Sequence, residues 1–267
     1  MSTTSWISQA THLRKSYGRT KASRYLVTGL GDLLFPWTSP YFADHMSLRA
    51  SFHNAGRGIV LSAGEAQVSY PLATIPVMRH LGCDLPIEVM YLGNTDISDE
   101  YRDQLEKLPG VITRNMKQMV RDDGRELAGW AAKPFAMLLS SFREVISIDA
   151  DAVFFLNPEL LFEDPQYKET GALFFRDRSI FPEEKRKWLN KVLPKPIARS
   201  ARATRLWTGE SGHQQESGGV LVDKWKHFVE LLLVTRMNGP DRDGNAEEGI
   251  EGIHDMVYGD KETFWLA

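Results

Sequence analysis

The stretch Val145-Ile146-Ser147-Ile148-Asp149-Ala150-Asp151-Ala152-Val153-Phe154-Phe155-Leu156 decides the fold. Val145 to Ile148 is apolar and β-branched, and it reads as a buried strand, too short for a helix of its own. The strand ends at Asp149, so both acids sit where a core strand meets a loop. In open α/β sheets, ligands bind in the crevice outside the carboxyl ends of the strands. An Asp-x-Asp at that point can hold a hard cation of the magnesium type, which takes one or two carboxylates and completes its shell with substrate phosphates. The competing reading is an acidic turn. The apolar, β-prone runs on both sides weigh against it, because a core strand rarely delivers two acids together without using them.

The composition sets bounds around this stretch. The chain has 267 residues, 42% hydrophobic and 25% charged, which is globular and long enough for a sizeable core. A net charge of −3 gives no basic field for nucleic acid. The single cysteine, Cys83 in a Leu-Gly-Cys-Asp-Leu-Pro turn, excludes an internal disulfide and reads as a buried thiol. No apolar run has the length of a transmembrane helix. Met1 to Tyr25 is Ser/Thr-rich with Arg14, Lys15, Arg19, Lys21 and Arg24, lacks the apolar core of a signal peptide, and is only weakly like a transit peptide. As written, the chain reads as soluble, or as a fragment that has lost its anchor.

Outward from the acids, strands alternate with helices. Residues 1–50 read as a peripheral segment in which Gly31 to Trp37 packs on the domain, and 51–267 as the main domain. Gly58 to Ser62 is a first core strand that ends at Gly64 to Gln67, a place where a nucleotide base could lie. This is no Gly-x-Gly-x-x-Gly fingerprint, so a dehydrogenase gains no support. A helix with Leu72, Ile75, Val77, Met78 and Leu81 as apolar positions follows, then a strand over 86–93, a helix over 99–108 stopped by Pro109-Gly110, and a strand over 111–113. Leu127, Trp130, Pro134, Leu138 and Phe142 keep helical spacing. Pro134 suits a first helical turn, which places Lys133 at a helix start where it can reach a phosphate; the alternative is a solvated lysine. Gly171 to Phe175 and Gly219 to Val222 read as strands, the basic stretch 176–205 mostly as a solvated insertion, and 224–237 as an amphipathic helix that buries Trp225, Phe228, Val229 and Leu232. The alternation predicts an α/β fold with a mainly parallel sheet flanked by helices.

Several blocks together resemble the fungal Mnn1-type α-1,3-mannosyltransferases, glycosyltransferase family 71 of the GT-A fold. They are Gly56-Arg57-Gly58-Ile59-Val60, Leu81 to Val89, Trp130-Ala131-Ala132-Lys133-Pro134-Phe135-Ala136, Ile148-Asp149-Ala150-Asp151, Gln215-Glu216-Ser217-Gly218-Gly219 and Gly259-Asp260-Lys261-Glu262-Thr263-Phe264-Trp265. The resemblance implies a GT-A-like domain that transfers mannose from GDP-mannose, with retention and in α-1,3 linkage, to a mannose hydroxyl of a glycan or glycoprotein. It implies Mn²⁺ (or Mg²⁺), a type II protein facing the Golgi lumen, and a place in a glycosyltransferase complex. Asp149 would reach the donor's ribose or the metal, Asp151 the metal and diphosphate, and Lys133 the diphosphate. Gly64 would lie against the nucleotide, and Glu216 and Asp260 would face the sugar or acceptor as catalytic acids. A retaining transfer leaves front-face attack and a covalent step through Glu216 or Asp260 both open.

Family members commonly take a third metal ligand, often His, from a segment beyond the last block. The nearby candidates here are His213 and His254, each of which also reads as an ordinary histidine. Asp260 could instead cap a helix starting near Lys261, and Glu216 could be a loop acid. Two further readings compete for the whole chain. One is a truncated GT-A domain that binds nucleotide or a partner transferase without turnover. The other is a haloacid-dehalogenase-type phosphatase, matched by Asp149-Ala150-Asp151-Ala152-Val153 and Gly259-Asp260.

Overall fold

The computed structural model describes residues 29–31, 33–38, 42–121 and 127–267; the reading of Met1 to Tyr25 lies outside them. Six strands form one sheet: β1 Arg57–Ser62, β2 Ile87–Tyr91, β3 Val111–Asn115, β4 Glu144–Ile148, β5 Ala172–Arg176 and β6 Gln215–Asp223, in the order β3-β2-β1-β4-β6-β5. β3, β2, β1 and β4 run parallel, while β6 is antiparallel to both β4 and β5. The interior parallel strands must be apolar on both faces, which is why β1, β2 and β4 were legible as continuous apolar runs. In the β1–β4 register Leu61 lies opposite Ile148, so the loops after Ser62 and Ile148 leave the sheet side by side at its carboxyl edge.

Helices cover both faces: α1 His45–Ser51, α2 Ser69–His80, α3 Asp99–Glu106, α4 Ala132–Leu139, α5 Pro165–Thr170, α6 Arg186–Val192 and α7 Phe228–Asn238. Side chains alternate across the sheet. Val60, Met90, Val145, Val220 and Val222 pack under α4 and α7, together with Leu34, Phe35, Trp37 and Leu48 from the N-terminal segment. Ile59, Leu61, Val89, Ile146 and Leu221 meet Ile75 and Met78 of α2 on the other face. The α/β architecture with a mainly parallel sheet flanked by helices is therefore present.

Three local expectations change. Only the first of the two apolar runs around the acids is a strand: Val153, Phe155 and Leu156 lie in coil and point outward, Phe155 with 87% of its surface exposed. Composition sets apolarity but not direction, and of that run only Ala152 and Phe154 pack inward. Residues 176–205 are not a solvated insertion. Trp188, Leu189, Leu193, Ile197 and Leu206 form a small core of their own with Ile253 and Val257, masked in the sequence by the basic residues around them. Lys224 belongs to no helix surface. It is wholly buried before α7, and its Nζ donates to Leu138 O at 3.1 Å, Ser140 O at 2.6 Å and Ser140 Oγ at 3.0 Å. It thereby satisfies the carbonyls at the carboxyl end of α4. Cys83 is buried as expected, and burial pushes its thiol pKa up.

Candidate active site

The carboxyl edge of the sheet carries a cleft of about 350 Å³. Gly64 after β1, Leu92 and Asp96 after β2, Trp130 and Lys133 at the start of α4, and Asp149 and Asp151 after β4 all line it. Gly64, Lys133, Asp149 and Asp151 are thus brought together, where the topology puts a ligand. Gly64 is a close approach: a Cβ there would stand 2.6 Å from Asp96 Oδ1. Asp96 is itself fixed by accepting a 2.6 Å hydrogen bond from the Leu92 amide. Glu216 and Asp260 do not line this cleft; they stand behind its β4 end.

Lys133 lies in the first turn of α4, as its neighbour Pro134 predicts, but it is only 4% exposed, which rules out the solvated reading. Its Nζ is 2.5 Å from Asp149 Oδ1 and 3.5 Å from Asp260 Oδ2, and it donates to Ser217 O at 2.9 Å and Ser217 Oγ at 3.2 Å. A buried ammonium needs such a shell of acceptors. Asp260 Oδ2 makes no hydrogen bond. Burial raises the Asp260 pKa, the Lys133 ammonium lowers it, and the Asp149 carboxylate raises it further, leaving it above the usual carboxylate range. Its side chain caps no helix; the closing turn Thr263–Leu266 uses Asp260 O, which accepts from Thr263 N at 3.0 Å.

A bulge aims the Ser217 carbonyl at Lys133. Along β5, Phe174 pairs with Val220 but Phe175 pairs with Glu216, so Ser217 to Gly219 have no partner on β5, while Gly219 stays paired with Ile148 of β4. Gly218 O accepts the Asp149 amide at 3.0 Å. Glu216 ties the bulge down. Its Oε1 accepts from the Ser217 and Gly218 amides at 2.9 and 3.0 Å, and its Oε2 pairs with Lys261 Nζ at 3.1 Å. Lys261 also reaches Asp177 Oδ2 at 3.1 Å. Burial raises the Asp177 pKa, but Lys261, the Arg178 amide and His213 outweigh it and hold the carboxyl below its ordinary value. The sequence singled out Glu216 and Asp260 but not Asp177, Lys261, Ser217 or Asp96. Ser217 and Lys261 lie inside the resembling blocks, whereas Asp177 and Asp96 carry no local signal.

Among the described residues no group of three or more His, Cys, Asp or Glu is placed to hold a metal. His213 lies 3.8 Å from Asp177 Oδ2 and packs its ring on Tyr258, and His254 bonds Asn238 Oδ1 at 3.0 Å, so neither joins the Asp149–Asp151 pair. With one Asp149 oxygen taken by Lys133, the remaining donors are Asp149 Oδ2 and the exposed Asp151. That set fits a hard divalent ion whose other ligands are substrate oxygens, and it is too small to be a closed structural site.

The chain is 31% identical to "Putative alpha-1,3-mannosyltransferase MNN14" of Candida albicans over 79% of this chain and 33% of that protein. It is 28% identical to "Alpha-1,3-mannosyltransferase MNT3" of Saccharomyces cerevisiae over 79% of this chain and 37% of that one. The chain therefore spans about a third of the length of these relatives. Among solved structures it is similar to a WbbM bifunctional glycosyltransferase, with a TM-score of 0.47 and 14% identity over 68% of this chain and 34% of that one. The family described as "Mannosyltransferase putative" matches residues 56–267, and the chain belongs to that family.

Proposed function

We propose that this chain transfers mannose from GDP-mannose to a mannose hydroxyl of a glycan, with retention and in α-1,3 linkage. The observation that carries the reading is buried Lys133 paired with half-exposed Asp149, set beside exposed Asp151 in the cleft at the carboxyl edge of the parallel sheet. Family membership and the α-1,3-mannosyltransferase relatives support the reaction class and displace the phosphatase reading. A Golgi, type II placement belongs to the same proposal; among the described residues no helix is long and apolar enough to cross a membrane.

The chain's own groups divide the work. Gly64 lets the nucleotide approach the backbone after β1. Lys133 supplies fixed positive charge where the leaving diphosphate gains negative charge, in a site that needs no reorganisation. Asp151 and Asp149 Oδ2 would hold a manganese or magnesium ion, which supplies further positive charge against that leaving group. Glu216 has both carboxylate oxygens engaged and Asp260 is buried behind Lys133. Neither stands free in the cleft as a nucleophile, which supports front-face transfer over a covalent step and makes both acids positioning residues. The test is thermal unfolding with GDP in Mn²⁺ and in EDTA. At a hundred times its dissociation constant GDP should add about 2.7 kcal/mol in Mn²⁺ alone. Equal stabilisation in EDTA would remove the metal from the proposal, and none in either would remove the nucleotide.

A further inference from the structure

Trp130 and Tyr258 are large aromatic rings left 58% and 56% exposed, with centroids 5.1 Å apart and planes at 43°. Exposed rings in contact at a cleft mouth call for a ligand. The pair is built and held. Trp130 lies over Gly259, whose φ is +64° and where a Cβ would come within 3.1 Å of Trp130 Cε3. Tyr258 is backed by the edge of His213, centroids 5.6 Å apart. His213 is itself fixed, its backbone amide donating to Ser211 Oγ at 3.2 Å.

The position of the pair selects its occupant. Along the sheet edge the cleft runs from Leu92 and Asp96 after β2, past Gly64 after β1, to Asp149 after β4. The nucleoside end is the β2–β1 end, and the diphosphate belongs at Lys133 and Asp149. An acceptor must approach the anomeric carbon beyond the diphosphate, on the β6 side. Trp130 lines the cleft beside Lys133, and Tyr258 continues away from it towards His213, which directly precedes β6. A hexose ring presents a face of C–H groups with partial positive charge, complementary to the negative face of an aromatic ring.

We infer that the Trp130–Tyr258 pair is the platform on which a mannose ring of the acceptor glycan stacks. The inference rests on the donor reading of the cleft. The experiment is calorimetric titration of the full chain with an α-linked mannobiose, in the presence of Mn²⁺ and GDP, beside a separate GDP titration. Trp130→Ala and Tyr258→Ala should each weaken mannobiose about tenfold, the cost of losing one aromatic contact, and Tyr258→Ala, outside the cleft lining, should keep GDP affinity within about twofold. Trp130→Phe, which keeps a ring, should retain most of the mannobiose affinity. Unchanged mannobiose affinity in both alanine variants overturns the platform, as does a parallel loss of GDP binding, which would assign Trp130 to the nucleotide. A chain that binds mannobiose through these rings but not GDP overturns the donor reading and keeps the platform. A chain that binds neither overturns both.

Discussion

Asp149 and Asp151 stand one residue apart, yet they answer to different physics. Asp151 is exposed, whereas Asp149 holds the ammonium of a buried lysine at 2.5 Å. Asp151→Asn is isosteric and breaks no internal contact, so unfolding free energy should stay within about 0.5 kcal/mol of the parent while metal-dependent GDP binding is lost. Asp149→Asn should cost about 1–3 kcal/mol as well, because Lys133 loses the nearest charge that justifies its burial. Urea denaturation beside GDP titration separates them, and equal destabilisation by the two changes would refute the distinction. Lys224 carries a pH signature of its own. Burial lowers its pKa well below the ordinary lysine value. Between the lowered and the ordinary value the unfolded chain binds a proton that the folded chain has released, so stability rises with pH across that window. Lys224→Met should flatten this rise and, by stranding Leu138 O and Ser140 O, cost about 1–3 kcal/mol. Urea midpoints over a pH series report both effects; the same slope in parent and variant would mean that Lys224 stays charged in the fold.

At the scale of elements, the bulge in β6 connects the acids to the lysine. Glu216→Gln keeps an oxygen for the Ser217 and Gly218 amides, and Lys261 keeps Asp177. Glu216→Ala frees the bulge, and with it the Ser217 carbonyl that fixes Lys133. If Glu216 positions, mannose transfer should fall only a few-fold in the glutamine variant, but about a hundredfold in the alanine variant, where misplacement reaches the reacting groups. Equal losses of about 10²–10⁴ in both would mark it as a proton-transfer group instead. Radiolabelled mannose transfer reads the difference. The strands β1, β2 and β4 were legible because a buried parallel strand is mostly apolar on both faces, buried Glu88 and Ser147 being single interruptions. The first half of β6 was not, since Gln215-Glu216-Ser217-Gly218 is polar and glycine-containing and reads as a loop; its strand geometry comes from partners distant in sequence. The Asp-x-Asp announced itself as two acids at the end of an apolar run. The Asp177–Lys261 pair, 84 positions apart, offers no local pattern at all, and only the fold brings it to Glu216.

At the scale of the whole molecule, the folding unit begins upstream of the family match. The sequence reads residues 1–50 as peripheral, and the family match starts at residue 56. The packing runs across that line. Leu34, Phe35, Trp37 and Leu48 are buried in the same core as α4. The Trp37 ring meets Phe135 of α4 edge-on with centroids 5.9 Å apart, two positions from Lys133 along the chain. Arg236 of α7 donates to Leu34 O at 2.5 Å, and Trp37 O accepts the Arg121 amide at 3.2 Å. Each such side chain contributes about 1.5–3 kcal/mol by burial, and together they match the few to fifteen kcal/mol by which a domain is stable at all. A chain cut to residues 56–267 should therefore lose its cooperative thermal transition and its GDP binding together, because α4 would face water on the side that now holds Trp37. Trp37→Ala in the full chain should cost about 3–5 kcal/mol, and with Lys133 still on its helix it should recover GDP binding once the temperature is low enough for the variant to be folded. A cut chain that melts at the same temperature as the parent, with unchanged GDP affinity, would show that the N-terminal segment only decorates the domain.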